Sequence, residues 1–106
     1  MVKVTVEPGV CGHQTRIKVL AKDHLNVKVE LESECEHIDN MGRELNDVDA
    51  YRECFTSRDN SLIHQIASKH CQHSGCPVPM AIIKGIEVAV GKEKAEDVHV
   101  HLEKDG

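Results

Sequence analysis

A chain of 106 residues has room for one small domain, spanning residues 1–106. Thirteen Lys and Arg stand against 18 Asp and Glu, a formal charge of −5, which leaves no basic surface for a nucleic-acid backbone, and one Tyr and one Phe offer no platform for stacking bases. No apolar run approaches the roughly 20 residues of a membrane span, and the alternating Met1–Glu7 lacks the apolar block of a signal peptide, so a cytoplasmic protein without a membrane partner is expected.

The first 32 residues carry strand periodicity. Val2, Val4 and Val6 share one face, with Lys3, Thr5 and Glu7 on the other. Pro8-Gly9 breaks that strand. Ile17, Val19 and Ala21 alternate next, and Leu25, Val27, Val29 and Leu31 alternate after a tight connection at Asp23-His24. Residues 15–33 therefore predict a β-hairpin with one buried face.

Helical spacing follows. Ile38, Met41, Leu45 and Val48 recur at three- and four-residue steps, and Val48, Tyr51 and Phe55 continue them after a fresh start near Asn46-Asp47. Ser57–Asn60 reads as a loop. Asn60 or Ser61 caps a short helix through Leu62, Ile63, Ile66 and Ala67. A last helix is expected from Pro77 to Val90, with both prolines in its first turn and Gly91 as its stop. Residues 97–103 alternate again, and Val98, Val100 and Leu102 are expected to face inward as a final strand. The order β-β-β-α-α-α-α-β predicts an α+β two-layer sandwich: an antiparallel sheet of three to four strands with three to four helices on one face.

Five cysteines stand at 11, 35, 54, 71 and 76. The odd number does not suit a closed set of disulfides, and in a reducing compartment clustered thiols hold metal or do redox work. Cys11, Cys35, Cys71 and Cys76 fall at element ends, beside Gly and Pro, where core cysteines are uncommon. Cys54 lies inside a helix, and a core thiol on the Tyr51–Phe55 face is the expectation there. Cys71-Gln72-His73-Ser74-Gly75-Cys76-Pro77 is the strongest local motif. Two thiols with four residues between them can reach one ion, Gly75 is expected to let the loop close, and the helix start favours thiolate at Cys76. Zinc and iron–sulfur clusters want four ligands, and Cys11 and Cys35 at the sheet end are the natural completers.

His follows Cys by two positions at His13, His37 and His73, as a further ligand or as a donor to thiolate sulfur; the residues leave that choice open. His99, His101, His64, His70 and His24 fit solvated positions, and the run Glu30–Glu36 fits the wet face of a strand. No Ser/His/Asp constellation and no phosphate loop is visible.

The stretches Glu7-Pro8-Gly9-Val10-Cys11-Gly12, Glu32-Ser33-Glu34-Cys35, Cys71–Pro79 and Ala81–Glu87 resemble a family of small uncharacterised cysteine proteins of anaerobic bacteria and methanogenic archaea, over essentially the whole chain. The layout is also similar to the TSCPD domain, found alone and at the end of some ribonucleotide reductases. There, too, a Cys precedes a hairpin, a Cys follows it, and a Cys pair precedes a final helix. Ser74-Gly75-Cys76-Pro77-Val78 keeps the Cys-Pro of that domain but lacks its initial Thr and final Asp. The resemblance implies metal binding by Cys11, Cys35, Cys71 and Cys76.

The residues thus point to a small metal-binding module with a four-cysteine zinc or iron–sulfur site, structural or interacting with a protein partner, without catalysis of its own. A thiol–disulfide protein using Cys76 as nucleophile and Cys71 as resolving thiol is the alternative, as is a carrier of metal or cluster. The edge of the last strand offers pairing with a second copy as a homodimer.

Overall fold

The computed structural model describes residues 1–7, 9, 12–71 and 74–106. Three long strands form first: β1 (Val2–Val6), β2 (Thr15–Ala21) and β3 (Asn26–Ser33). Helix α1 (Glu36–Glu44) leads into the short β4 (Asp47–Asp49), then α2 (Ala50–Cys54), a single 3₁₀ turn (Arg58–Asn60), α3 (Leu62–His70) and α4 (Val78–Ala89). The strands lie in the order β1-β2-β3-β4, each neighbour antiparallel. The α+β two-layer reading therefore holds.

The β2–β3 hairpin follows the alternation of the sequence. Ile17 pairs with Leu31 and Val19 with Val29, so one apolar row faces the helices. Its turn is fixed by Asp23, whose Oδ1 accepts from the N–H of Leu25 at 2.8 Å and of Asn26 at 2.9 Å. Ile17, Val19, Val27 and Val29 meet Ile38, Met41, Ile63, Val78, Ile82 and Ile86 in a core without aromatic side chains. Each such side chain contributes about 1.5–3 kcal/mol by leaving water.

Gly85 lets α4 lie close on the sheet. A Cβ there would stand 2.9 Å from Val4 Cγ2 and 3.2 Å from Val19 Cγ2. Ser61 is the N-cap of α3, its hydroxyl accepting from His64 N–H at 3.1 Å, and Gly91 ends α4 at φ 81°.

Three expectations need correction. The fourth strand is not the C-terminal segment but residues 47–49, where Val48 pairs with Val27. A three-residue strand shows one inward apolar side chain, which suits helical spacing equally well. Residues 97–103 carry the strand alternation without a strand, and Val98, Val100 and Leu102 are 52%, 76% and 87% exposed. Alternation describes a side-chain pattern; a strand also needs a neighbour to bond. Tyr51 and Phe55 do not face the core. They stack on each other at the surface, 5.6 Å between ring centroids, with Lys92 Nζ 4.7 Å from the Phe55 ring. The inward positions of α2 are Ala50 and Glu53.

Candidate functional site

The end of the sheet at Thr15 and Ser33 leads into Cys35. Thr15 pairs with Ser33 across β2 and β3, and its buried hydroxyl donates to Ser33 Oγ at 2.9 Å. The same Ser33 oxygen accepts from Cys35 N–H at 3.1 Å. Cys35 is the N-cap of α1, and its carbonyl accepts the first helical bond, from Asp39 at 2.9 Å. A two-hydroxyl relay thus fixes the backbone from which the Cys35 side chain leaves.

Cys71 ends α3, its N–H donating to the Ala67 carbonyl at 2.8 Å. Cys76 stands just before Pro77, the N-cap of α4. Cys35, Cys71 and Cys76 are free thiols, each half-buried against the margin of the core. Three different helix ends therefore supply them, and helix ends hold backbone in place more firmly than open loops do.

Cys71 lies close enough to Cys76, and then to Cys35, for each to act on its ionisation. Burial, first, and then Cys76 and Cys35 push the Cys71 thiol up to about 12. Packed thiols oppose one another's ionisation, because each thiolate would face another in a poorly hydrated place. A cation reverses that logic, turning mutual repulsion into shared attraction.

Cys11 and His73 lie outside the described residues. The described flanks of Cys11 are Val6, paired with Thr15, and the turn in which Gly12 N–H donates to the Gly9 carbonyl at 2.9 Å. Gly9 and Gly12 both have positive φ, 82° and 69°, a conformation that favours glycine. His13 is exposed, 3.9 Å from Glu34, and His37 is half-buried in the first turn of α1. Among the described residues, no group of three or more His, Cys, Asp or Glu is arranged to hold a metal ion. Gly75 has open space around it and no positive φ, so the described geometry places no demand for glycine there.

Cys54 stands apart from the other cysteines. Burial, followed by Glu87, pushes its thiol up to about 11, with Lys92 opposing. It is half-buried against the core, as expected of a packing thiol, whereas Tyr51 and Phe55 beside it in sequence are exposed.

One buried charge was not legible as such. Glu53 is 5% exposed and accepts from Ser61 Oγ at 2.6 Å, Leu62 N–H at 2.9 Å and Ile63 N–H at 2.9 Å. It closes the start of α3, the helix that ends in Cys71. A Glu followed eight residues later by a capping Ser is the only trace in the sequence.

A model of a family of unknown function, DUF6951, matches residues 2–102. The chain belongs to that family. The match covers all strands and helices of the fold and the positions of all five cysteines. No curated protein and no solved structure matches. No helix among the described residues is long and apolar enough to cross a membrane.

Proposed function

We propose that this member of the DUF6951 family is a small cytoplasmic metal-binding module, with Cys11, Cys35, Cys71 and Cys76 as ligands of one zinc ion or iron–sulfur cluster. The observation that supports the reading is that Cys35, Cys71 and Cys76, free and half-buried against one core, come from three separate helix ends and lie close enough for Cys76 and Cys35 to act on the ionisation of Cys71. Cys11 precedes Thr15 by four residues, a span of at most about 14 Å. Thr15 is bonded to the serine that fixes Cys35. A thiolate set of this kind is soft and suits zinc or iron. The likeness of the cysteine layout to the TSCPD domain belongs to the same proposal.

The module binds metal for structure or for contact with a partner. Its core is wholly aliphatic, and an ion tying α1, α3 and α4 to the hairpin would add stability where no aromatic side chain does. Thiol–disulfide chemistry between Cys76 and Cys71 ranks second. It leaves Cys35 unused, and a Cys71 thiol held protonated is a poor partner for exchange.

Anaerobic purification tests the reading. Colourless protein with stoichiometric zinc supports a structural ion. Broad visible absorption with iron and sulfide supports a cluster. Protein that takes up neither metal under anaerobic reconstitution, and stays folded, overturns both. Loss of bound metal to a weak chelator within seconds would mark a carrier.

A further inference from the structure

The inward face of β2 is apolar at Ile17 and Val19 but begins with a hydroxyl. Thr15 is 1% exposed and pairs with Ser33, which ends the inward row of β3 after Val27, Val29 and Leu31. A hydroxyl buried where a valine would fit is costly unless it is hydrogen-bonded. Here the bond leads to a cysteine. Thr15 Oγ1 stands 2.9 Å from Ser33 Oγ, and Ser33 Oγ accepts from the N–H of Cys35 at 3.1 Å.

The protons of this relay can be counted. An N–H only donates, so Ser33 Oγ is an acceptor towards Cys35. Each hydroxyl carries one proton, and the bond between them uses one of the pair. The other meets no acceptor among the described residues. Thr15 is the more deeply buried, and a donor left unmet there is costly, so Thr15 donates and Ser33 keeps the remaining proton at the half-buried margin. The flanking carboxylates do not take it. Glu32 lies 3.7 Å from Arg16 on the outer face of the sheet, and Glu34 is 88% exposed beside His13.

Resting on the metal-binding reading, we propose that Ser33 is a positioning residue of the thiolate set: its hydroxyl donates to the sulfur of Cys35 when that sulfur is a metal-bound thiolate, and Thr15 aims it. The sulfur belongs to the same residue whose N–H Ser33 already holds. Cys35 is the N-cap of α1, yet its side chain makes no cap bond, so the sulfur is open to a donor. Its influence on Cys71 places it on the side of the other thiols. A thiol accepts weakly and a thiolate strongly, so the bond strengthens with the charge that metal binding creates. A donor of this kind fixes the direction of a ligand and tunes its hold on the metal.

Competition of the full chain for zinc against a chromophoric chelator, beside urea unfolding of the metal-free protein, tests the role. Thr15→Val combined with Ser33→Ala removes both hydroxyls at once, an exchange that is nearly neutral for a buried pair. The double variant should unfold near the urea concentration of the parent but bind zinc roughly tenfold to a hundredfold more weakly. Ser33→Thr keeps the hydroxyl and should bind like the parent, and Thr15→Val alone should fall between. A double variant that binds zinc as the parent does overturns the proposal and leaves the metal reading standing. So does one whose weaker binding is matched by an equal loss of metal-free stability, because packing then accounts for it. Where the double variant does not fold, Thr15→Val decides, and binding equal to the parent overturns the proposal. A parent that takes up no zinc overturns it as well, and uptake of iron and sulfide then judges the metal reading by itself.

Discussion

The carboxylate of Glu53 accepts a 2.6 Å hydrogen bond from the hydroxyl of Ser61, the N-cap of α3. Leu62 and Ile63 donate their N–H groups to the same carboxylate, so one buried side chain satisfies donors that no helical carbonyl can reach. In Glu53→Gln one carboxylate oxygen becomes an NH₂ group facing a backbone N–H or the hydroxyl. We predict a loss of about 2–3 kcal/mol in urea unfolding, since hydrogen bonds to a charged group are strong and a buried donor left unmet is costly. A loss under about 0.5 kcal/mol, the range of an ordinary surface change, would show that the helix start does not depend on this carboxylate.

Gly85→Ala sets two effects of opposite sign against each other. Alanine gains about 1 kcal/mol over glycine inside a helix. The new methyl would stand 2.9 Å from Val4 Cγ2 and 3.2 Å from Val19 Cγ2, and Val19 is fully buried with nowhere to move. Overpacking of this kind costs about 1–3 kcal/mol, and α4 would have to lift from the sheet. The expected net result is a lower melting temperature. Gly75→Ala, with open space around it, is the matched control and should melt like the parent. A Gly85→Ala protein more stable than the parent would mean that the helix accommodates the methyl by a small slide.

These two residues also mark how far the sequence could be read. Gly85 interrupts an apolar helical run without announcing a close approach. Glu53 looks like any solvated charge on a helix, because burial of a carboxylate depends on a helix start eight residues away. The hairpin was legible because Ile17, Val19, Val27 and Val29 alternate over long strands whose pairing is local. β4 was not, since its three residues become a strand only through Val27, twenty-one positions earlier. Cys71 and Cys76 could be placed from the helix ends around them. That Cys35 comes near Cys71 rests on the packing of α1, α3 and α4 on one sheet, which no local pattern encodes. The valines of the tail read as core for the same reason: alternation records which side chains share a face and is silent on whether a neighbour is there to pair with.

Glu44 joins α1 to α3 through charge. One of its carboxylate oxygens meets His70 Nε2, and the other meets Lys69 Nζ at 2.9 Å. His70, first, and Lys69 hold its carboxyl below the ordinary 4.5. A carboxyl whose folded pKa is depressed contributes stability above its unfolded value and loses it as pH falls through the folded one. Glu44→Gln should therefore lower the urea midpoint slightly at about pH 6, and the two proteins should converge as pH falls below about 4. The effect is small because the pair is exposed to solvent. A difference that stays constant down to about pH 2 would assign it to packing and not to charge.

Cys71 gives the metal proposal its pH signature. With its thiol pushed up to about 12 by burial, Cys76 and Cys35, it is protonated at neutral pH in the metal-free protein. Zinc takes thiolate, so binding must expel that proton, and apparent affinity rises roughly tenfold per pH unit for each proton displaced. Competition against a chromophoric chelator between about pH 6 and pH 8 should show affinity climbing with pH. Cys71→Ser should weaken binding and lower the slope by about one proton. Cys54→Ala removes a thiol pushed up to about 11 by burial and Glu87, with no other cysteine among the groups that act on it, so slope and affinity should both remain. Zinc affinity that does not vary with pH would mean that Cys71 is no ligand. The nearness of Cys76 to Cys71 would then belong to the packing of α3 against α4.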